Sequence, residues 1–147
     1  MNIQPFVVIP KNYPHPLNVI GVKVTVLASN AATQGYEITM QEGDEGSGPP
    51  PHSHNWDESF YVVKGKVECS HGDKTVMAEP GTLVHLPAGT VHSFRFSVGG
   101  GAMIEISGPG GFASKIFTNI DKEIPPGPPD IPKLIGILQQ HGVTVAA

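Results

Sequence analysis

Between Val19 and Ile106 apolar residues recur at every second position in short runs, and Gly, Pro, Asn and Asp separate the runs. Period-two alternation broken by turn residues predicts an all-β sandwich or barrel. Strands are expected over 22–27, 36–41, 52–54, 59–63, 66–70, 74–78, 83–86, 91–98 and 102–107, with no helix in this span. Lys64-Gly65, His71-Gly72-Asp73 and Gly99-Gly100-Gly101 carry residues that tolerate positive φ, so each reads as a hairpin turn.

Beyond Ile106 the pattern changes. Gly108 to Gly111 is a loop, an apolar stretch follows, and Ile124-Pro-Pro-Gly-Pro-Pro-Asp130 is too rich in proline for a helix or a central strand. The segment therefore reads as an extended strap. Asp130 can cap a short helix with Pro132 in its first turn, in which Ile131, Leu134, Ile135 and Leu138 share a face and Gly142 marks the end. Near the start, Phe6 to Ile9 lies between prolines and reads as a strand that could extend the sheet of a second copy, so a homodimer is expected.

Composition narrows the choices. With 147 residues the chain matches one domain, 1–147, with a barrel core at about 19–107 and the strap and helix at 108–147. Gly (18) and Pro (15) are abundant enough to suggest disorder, but the periodic apolar runs assign them to turns. A net charge of −4 and nine scattered Lys and Arg provide no basic stripe, so neither nucleic-acid nor membrane binding is expected. Residues 1–10 lack the basic flank and apolar core of a secretory signal, which makes a cytoplasmic location the expectation. Cys69 is the single cysteine and sits in a predicted strand, where it reads as a buried, inert thiol.

The chemistry concentrates in Gly46-Ser-Gly-Pro-Pro-Pro-His52-Ser-His54-Asn-Trp-Asp-Glu58-Ser-Phe-Tyr-Val-Val-Lys-Gly65. Residues two apart on a strand face the same side, so His52 and His54 can aim both imidazoles at one point, and Glu58 can return from the next strand. In Gly81-Thr-Leu-Val-His-Leu-Pro87-Ala-Gly89-Thr-Val-His92 a Pro-x-Gly turn delivers a third histidine. Three neutral imidazoles and one carboxylate suit one divalent first-row ion (Fe, Mn, Ni, Cu, Co or Zn) and leave open positions for a substrate oxygen. Asp57 points away from Glu58 in extended chain, which argues against a pair of neighbouring carboxylates. His15, His71 and His141 fall in solvated places; the strand phase leaves His85 undecided.

Both stretches resemble the signature motifs of the cupin superfamily: glycine, five residues, His-x-His, three residues, Glu, six residues, Gly; and Gly, five residues, Pro-x-Gly, two residues, His. The resemblance implies a cupin double-stranded β-helix, a jelly-roll barrel, holding a metal through His52, His54, Glu58 and His92. Where the second motif often ends in Asn, this chain has Phe96. The Gly-Pro-Pro-Pro-His-x-His lead and the later Pro-rich segment look most similar to quercetin dioxygenase-like cupins with one domain.

Counting by twos from the ligands places Phe60, Val62, Phe94 and Phe96 in an apolar substrate pocket, with Met40, Ile104 and Ile106 as secondary candidates for the same wall. A metal beside such a wall suits a dioxygenase acting on a small aromatic or enolisable substrate, with Glu58 as ligand or proton acceptor. The alternatives are non-redox isomerase, lyase or decarboxylase chemistry on the same metal, and a non-catalytic small-molecule-binding protein.

Overall fold

The computed structural model describes residues 3–146. Alternation becomes an antiparallel sheet of nine strands: β1 (Leu17–Val19), β2 (Val22–Ala28), β3 (Glu37–Gly43), β4 (His52–Ser53), β5 (Glu58–His71), β6 (Lys74–Ala78), β7 (Leu83–Leu86), β8 (His92–Ser107) and β9 (Thr144–Val145). The expected helix-free core is interrupted by one turn of helix, α1 (Asn30–Thr33), because the Ser29 side chain accepts from Ala32 N and caps it.

Neighbouring strands run β1-β2-β3-β8-β4-β9, while β5 pairs with β8 and also carries β6 and β7. The expected closed jelly-roll barrel is not formed. Among the described residues β1 pairs only with β2, and β6 and β7 only with β5, so no ladder joins the edges. The curled sheet is an open half-barrel, like a double-stranded β-helix, with Phe60, Val62, Val67, Phe94, Phe96 and Met103 in its core.

Two of the expected hairpins are also corrected. β5 runs through Lys64-Gly65 and β8 runs through Gly99-Gly100-Gly101, whereas Gly72-Asp73 does join β5 to β6, with His71 opposite Lys74. The two glycine segments face each other, Gly65 against Gly101, and the register slips on both sides of Lys64-Gly65. Slippage inverts the side-chain phase. In β5 the buried positions are Glu58, Phe60 and Val62 before the glycine but Val67 and Cys69 after it; in β8 they pass from His92, Phe94 and Phe96 to Met103, Glu105 and Ser107.

The C-terminal segment is not an extended strap throughout. Ala113, Ile116 and Ile120 have helical spacing and form the buried face of α2 (Ala113–Glu123). The prolines after Ile124 stop this helix, and α3 (Ile131–Gln140) starts where expected, with the Asp130 carboxylate accepting from Lys133 N. Both helices pack Ile116, Ile120, Leu134 and Ile137 against Trp56 and Ile124. Buried Glu37 on β3 anchors the start of α2 by accepting from Ser114 N and Ser114 Oγ, and it also accepts from Asn30 N. Phe6 to Ile9 forms no strand among the described residues, and Val7 is 85% exposed. No helix among the described residues is long and apolar enough to cross a membrane.

The facing glycines give a test of the bend. A Cβ on Gly65, whose φ is +71°, would stand 2.1 Å from the Gly100 carbonyl oxygen, whereas Gly110 has φ +84° in open space. Gly65→Ala should cost about 3 kcal/mol or more, since clash adds to backbone strain, and Gly110→Ala only about 1–2 kcal/mol. Urea unfolding of both variants checks this, and equal losses would remove the close approach from the account.

Candidate metal centre

His52 opens β4 and lies directly opposite His92 at the start of β8. His54 follows two residues on, and Glu58 begins β5. The Pro87–Thr90 turn that delivers His92 is tied to the first motif: Gly89 N donates to the His54 carbonyl at 2.8 Å, and Ala88 N donates to Asp57 Oδ1 at 2.8 Å. Asp57 therefore points away from Glu58, as its parity predicted. On its other side His52 pairs with Val145, so the C-terminal strand β9 braces the first ligand.

One ring nitrogen from each of His52, His54 and His92 lies within 4.8 Å of the other two. Their Nδ1 atoms are engaged elsewhere: Pro50 O lies 2.8 Å from His52 Nδ1, Trp56 O lies 3.0 Å from His54 Nδ1, and Thr90 O lies 2.8 Å from His92 Nδ1. A carbonyl only accepts, so each Nδ1 carries the proton and each Nε2 keeps its lone pair for an ion. The Trp56 indole, buried as its shared parity with His54 allows, stacks on the His54 ring at 4.0 Å between centroids and fixes its plane.

Glu58 is buried beside these rings, with Oε2 3.3 Å from His54 Nε2 and 2.7 Å from His92 Nε2. Among the described residues only Glu58 Oε2 lies within reach of the buried His92 Nε2. Lone pairs gathered this closely call for a cation between them, which is the fit a divalent ion requires. The geometry gathers the three histidines as a facial donor set consistent with one divalent transition-metal ion.

Charges in the cluster are strongly interdependent. Burial, then the His92 charge, lowers His52 to about 4. Burial alone would raise Glu58, but its contacts with His54 and His92 hold it well below the usual carboxylate range. Burial alone would lower His92, but Glu58 raises it above 6.5. For Cys69, burial first and Glu68 second push the thiol up to about 11, in keeping with an inert core residue.

The site opens into a cavity of about 80 Å³ between the sheet and the C-terminal helices. Of the expected pocket residues, Phe60 and Phe94 line it. Val62 and Phe96 do not; they are packed deeper in the core. Met40 and Ile104 are likewise absent from the wall, because they pair with each other on the outer face, and Ile106 is 40% exposed. His85 also faces outward, hydrogen-bonded to Ser59 at 2.9 Å. His15 is exposed; His71 and His141 are half-buried, the latter 3.2 Å from Asn119 Nδ2.

The inverted phase brings in residues that counting by twos missed. Gln41 and Glu105 line the cavity, with Gln41 Nε2 donating to Glu105 Oε2 at 2.7 Å. Burial, then the Glu58 charge, raises Glu105 well above the ordinary carboxylate range. The partner carboxyl of Glu58 thus comes from β8, not from Asp57. The polar alternation of Glu37, Thr39 and Gln41 was the available signal.

The Cupin domain family matches residues 36–104, just under half of the chain. Quercetin 2,3-dioxygenase of Bacillus subtilis is 29% identical over 89 residues, which cover 59% of this chain and 26% of that protein. The chain therefore spans only about a quarter of that curated relative. KdgF from Halomonas sp. has a TM-score of 0.66 at 20% identity, over 72% of this chain and 94% of the other. The polyketide cyclase RemF from Streptomyces resistomycificus has a TM-score of 0.63 at 20% identity, over 72% and 80%.

The charge pattern predicts an order of titration in metal-stripped protein. His92 should still hold its proton above pH 6.5, and His52 should gain one only near pH 4. Glu58→Gln removes the charge that raises His92, so its midpoint should fall. Ring-nitrogen NMR titration reads each histidine separately; an unmoved His92 midpoint would contradict the coupling. Because a proton on His92 competes with the ion, metal affinity should fall as pH drops through that range.

Proposed function

We propose that the chain is a metal-dependent cupin enzyme doing non-oxidative chemistry on a small organic substrate, because the Cupin domain family matches residues 36–104 and three histidines gather at one largely buried point. Isomerase, lyase and decarboxylase reactions share negative charge developing on carbon next to a carbonyl group, through proton removal in the first two and through loss of carbon dioxide in the third. The observation that carries this reading is the placement of two carboxyl groups, Glu58 and Glu105, on the wall of the same small cavity as His52 and His54.

A divalent ion held by His52, His54 and His92, with Glu58 as fourth ligand or neighbour, would act as a Lewis acid that polarises a substrate oxygen. Glu58 is ionised and stands where it can take a proton from carbon, and Glu105 stands ready to hold a proton nearby. Phe60, Phe94, Ile116 and Phe117 exclude water from one side of the cavity. A volume of about 80 Å³ corresponds to roughly five to eight water-sized groups at ~10–15 Å³ each, which suits a molecule of few atoms better than a three-ring flavonol. Likeness to a polyketide cyclase agrees with non-oxidative use of the fold, by analogy alone.

A dioxygenase is the second reading, favoured by the partial similarity to quercetin 2,3-dioxygenase. Metal-loaded protein under strict anaerobiosis in deuterium oxide should exchange the α-protons of small hydroxyketones, followed by NMR. Glu58→Gln that keeps its metal should lose on the order of 100-fold or more of that rate. Oxygen uptake matched to substrate loss, with no anaerobic exchange, would instead establish the dioxygenase.

A further inference from the structure

Glu105 and Gln41 form a polar corner in a cavity that is otherwise apolar away from the histidines and Glu58. Gln41 Nε2 donates to Glu105 Oε2 at 2.7 Å and to Thr39 Oγ1 at 3.4 Å, so the amide is committed within this corner. The other oxygen, Glu105 Oε1, is buried and accepts from no donor among the described residues; the carboxyl also shares a hydrogen bond with the Glu58 carboxyl, and the side chain as a whole is 4% exposed. An oxygen that accepts from no donor keeps a lone pair that a hydroxyl on a bound molecule can use.

The cavity wall also limits what that partner can be. It includes Glu58 and Glu105 but no Lys or Arg, so a second anionic group on a substrate would meet carboxyl groups with no cation beside them. A hydroxyl both donates and accepts, and so matches a carboxyl oxygen whether or not the carboxyl carries a proton.

We propose that Glu105, steadied by Gln41, is a specificity-determining residue that hydrogen-bonds a hydroxyl of the substrate, and that the substrate class is small neutral hydroxycarbonyl compounds. The proposal rests on the enzymatic reading above: the carbonyl oxygen faces the metal side of the cavity while the hydroxyl turns to Glu105. Size, absence of lining cations and the open lone pair all select the same class. Glu105 is a binding residue here, independent of any part in proton transfer.

Trp56 is the only tryptophan of the chain and lines the cavity, so its fluorescence reports occupancy without any turnover. Zinc-loaded protein, with metal content measured in the same samples, is titrated with hydroxyacetone, acetone and pyruvate. Hydroxyacetone should bind about tenfold more tightly than acetone, the worth of one buried hydrogen bond, and pyruvate should show no such advantage. Glu105→Leu should erase the preference while the metal stays at one per chain, and Glu105→Gln, which keeps an acceptor oxygen, should restore part of it.

Wild-type protein that binds metal but shows no preference for hydroxyacetone, or binds none of the three, overturns the proposal whatever the variants do. A preference that survives in Glu105→Leu also overturns it. Loss of the metal from wild-type protein is a different result, and it strikes the enzymatic reading itself.

Discussion

A carbonyl oxygen can only accept a hydrogen bond, and three of them, on Pro50, Trp56 and Thr90, hold the Nδ1 atoms of His52, His54 and His92. That single constraint chooses the tautomer of every ligand and aims three lone pairs inward. Much of the local architecture maintains it. The Pro-rich approach to His52, the stacking of Trp56 on His54, and the Pro87–Thr90 turn each fix one carbonyl or one ring. Glu58 then adds a negative oxygen to a place already crowded with electron pairs. Such a cluster is stable only around positive charge, supplied by a proton on His92 or by a metal ion.

The donors were legible in the sequence because local spacing aims His52 and His54 together and the resemblance to both cupin motifs joins Glu58 and His92 to them, although the pairing of His92 with His52 is long-range. His-x-His on extended chain needs only period two, and Pro-x-Gly needs only its own turn geometry. The register of the hairpin at Gly72-Asp73 was equally local. What failed depended on events far apart in the chain. Lys64-Gly65 and Gly99-Gly100-Gly101 have turn composition, yet each is absorbed into a long strand because the other lies opposite and leaves room for a bend. Neither sequence segment carries that information by itself.

One misread bend propagated into the pocket. Reading β8 as two strands turns the apolar residues Ile104 and Ile106 inward, and the parity of Glu105 would then put it outside. The slip at the glycines reverses this, and β3 follows by pairing: Met40 meets Ile104 on the outer face while Gln41 meets Met103 within. Helix α2 was overlooked for a related reason. Its residues read only as an apolar stretch, because Phe112 at the start supplies no capping side chain and the loop before and the prolines after it carry the stronger local signals.

The result is a stretch of sheet with its polarity reversed, polar residues inside and apolar ones at the surface. Such an arrangement lowers stability unless every buried group is provided for, and the three inner carboxyls are provided for differently. Glu37 is saturated by Asn30 and by Ser114, so it serves to anchor helix α2. Glu58 is balanced by the imidazoles. Glu105 has Gln41 and, as burial and the Glu58 charge drive it toward the neutral acid, a hydrogen bond with Glu58, yet its Oε1 still accepts from no donor. Along one inner face, then, polar groups pass from serving the fold to serving the cavity, and the residue least satisfied by the protein is the one best placed to meet a ligand.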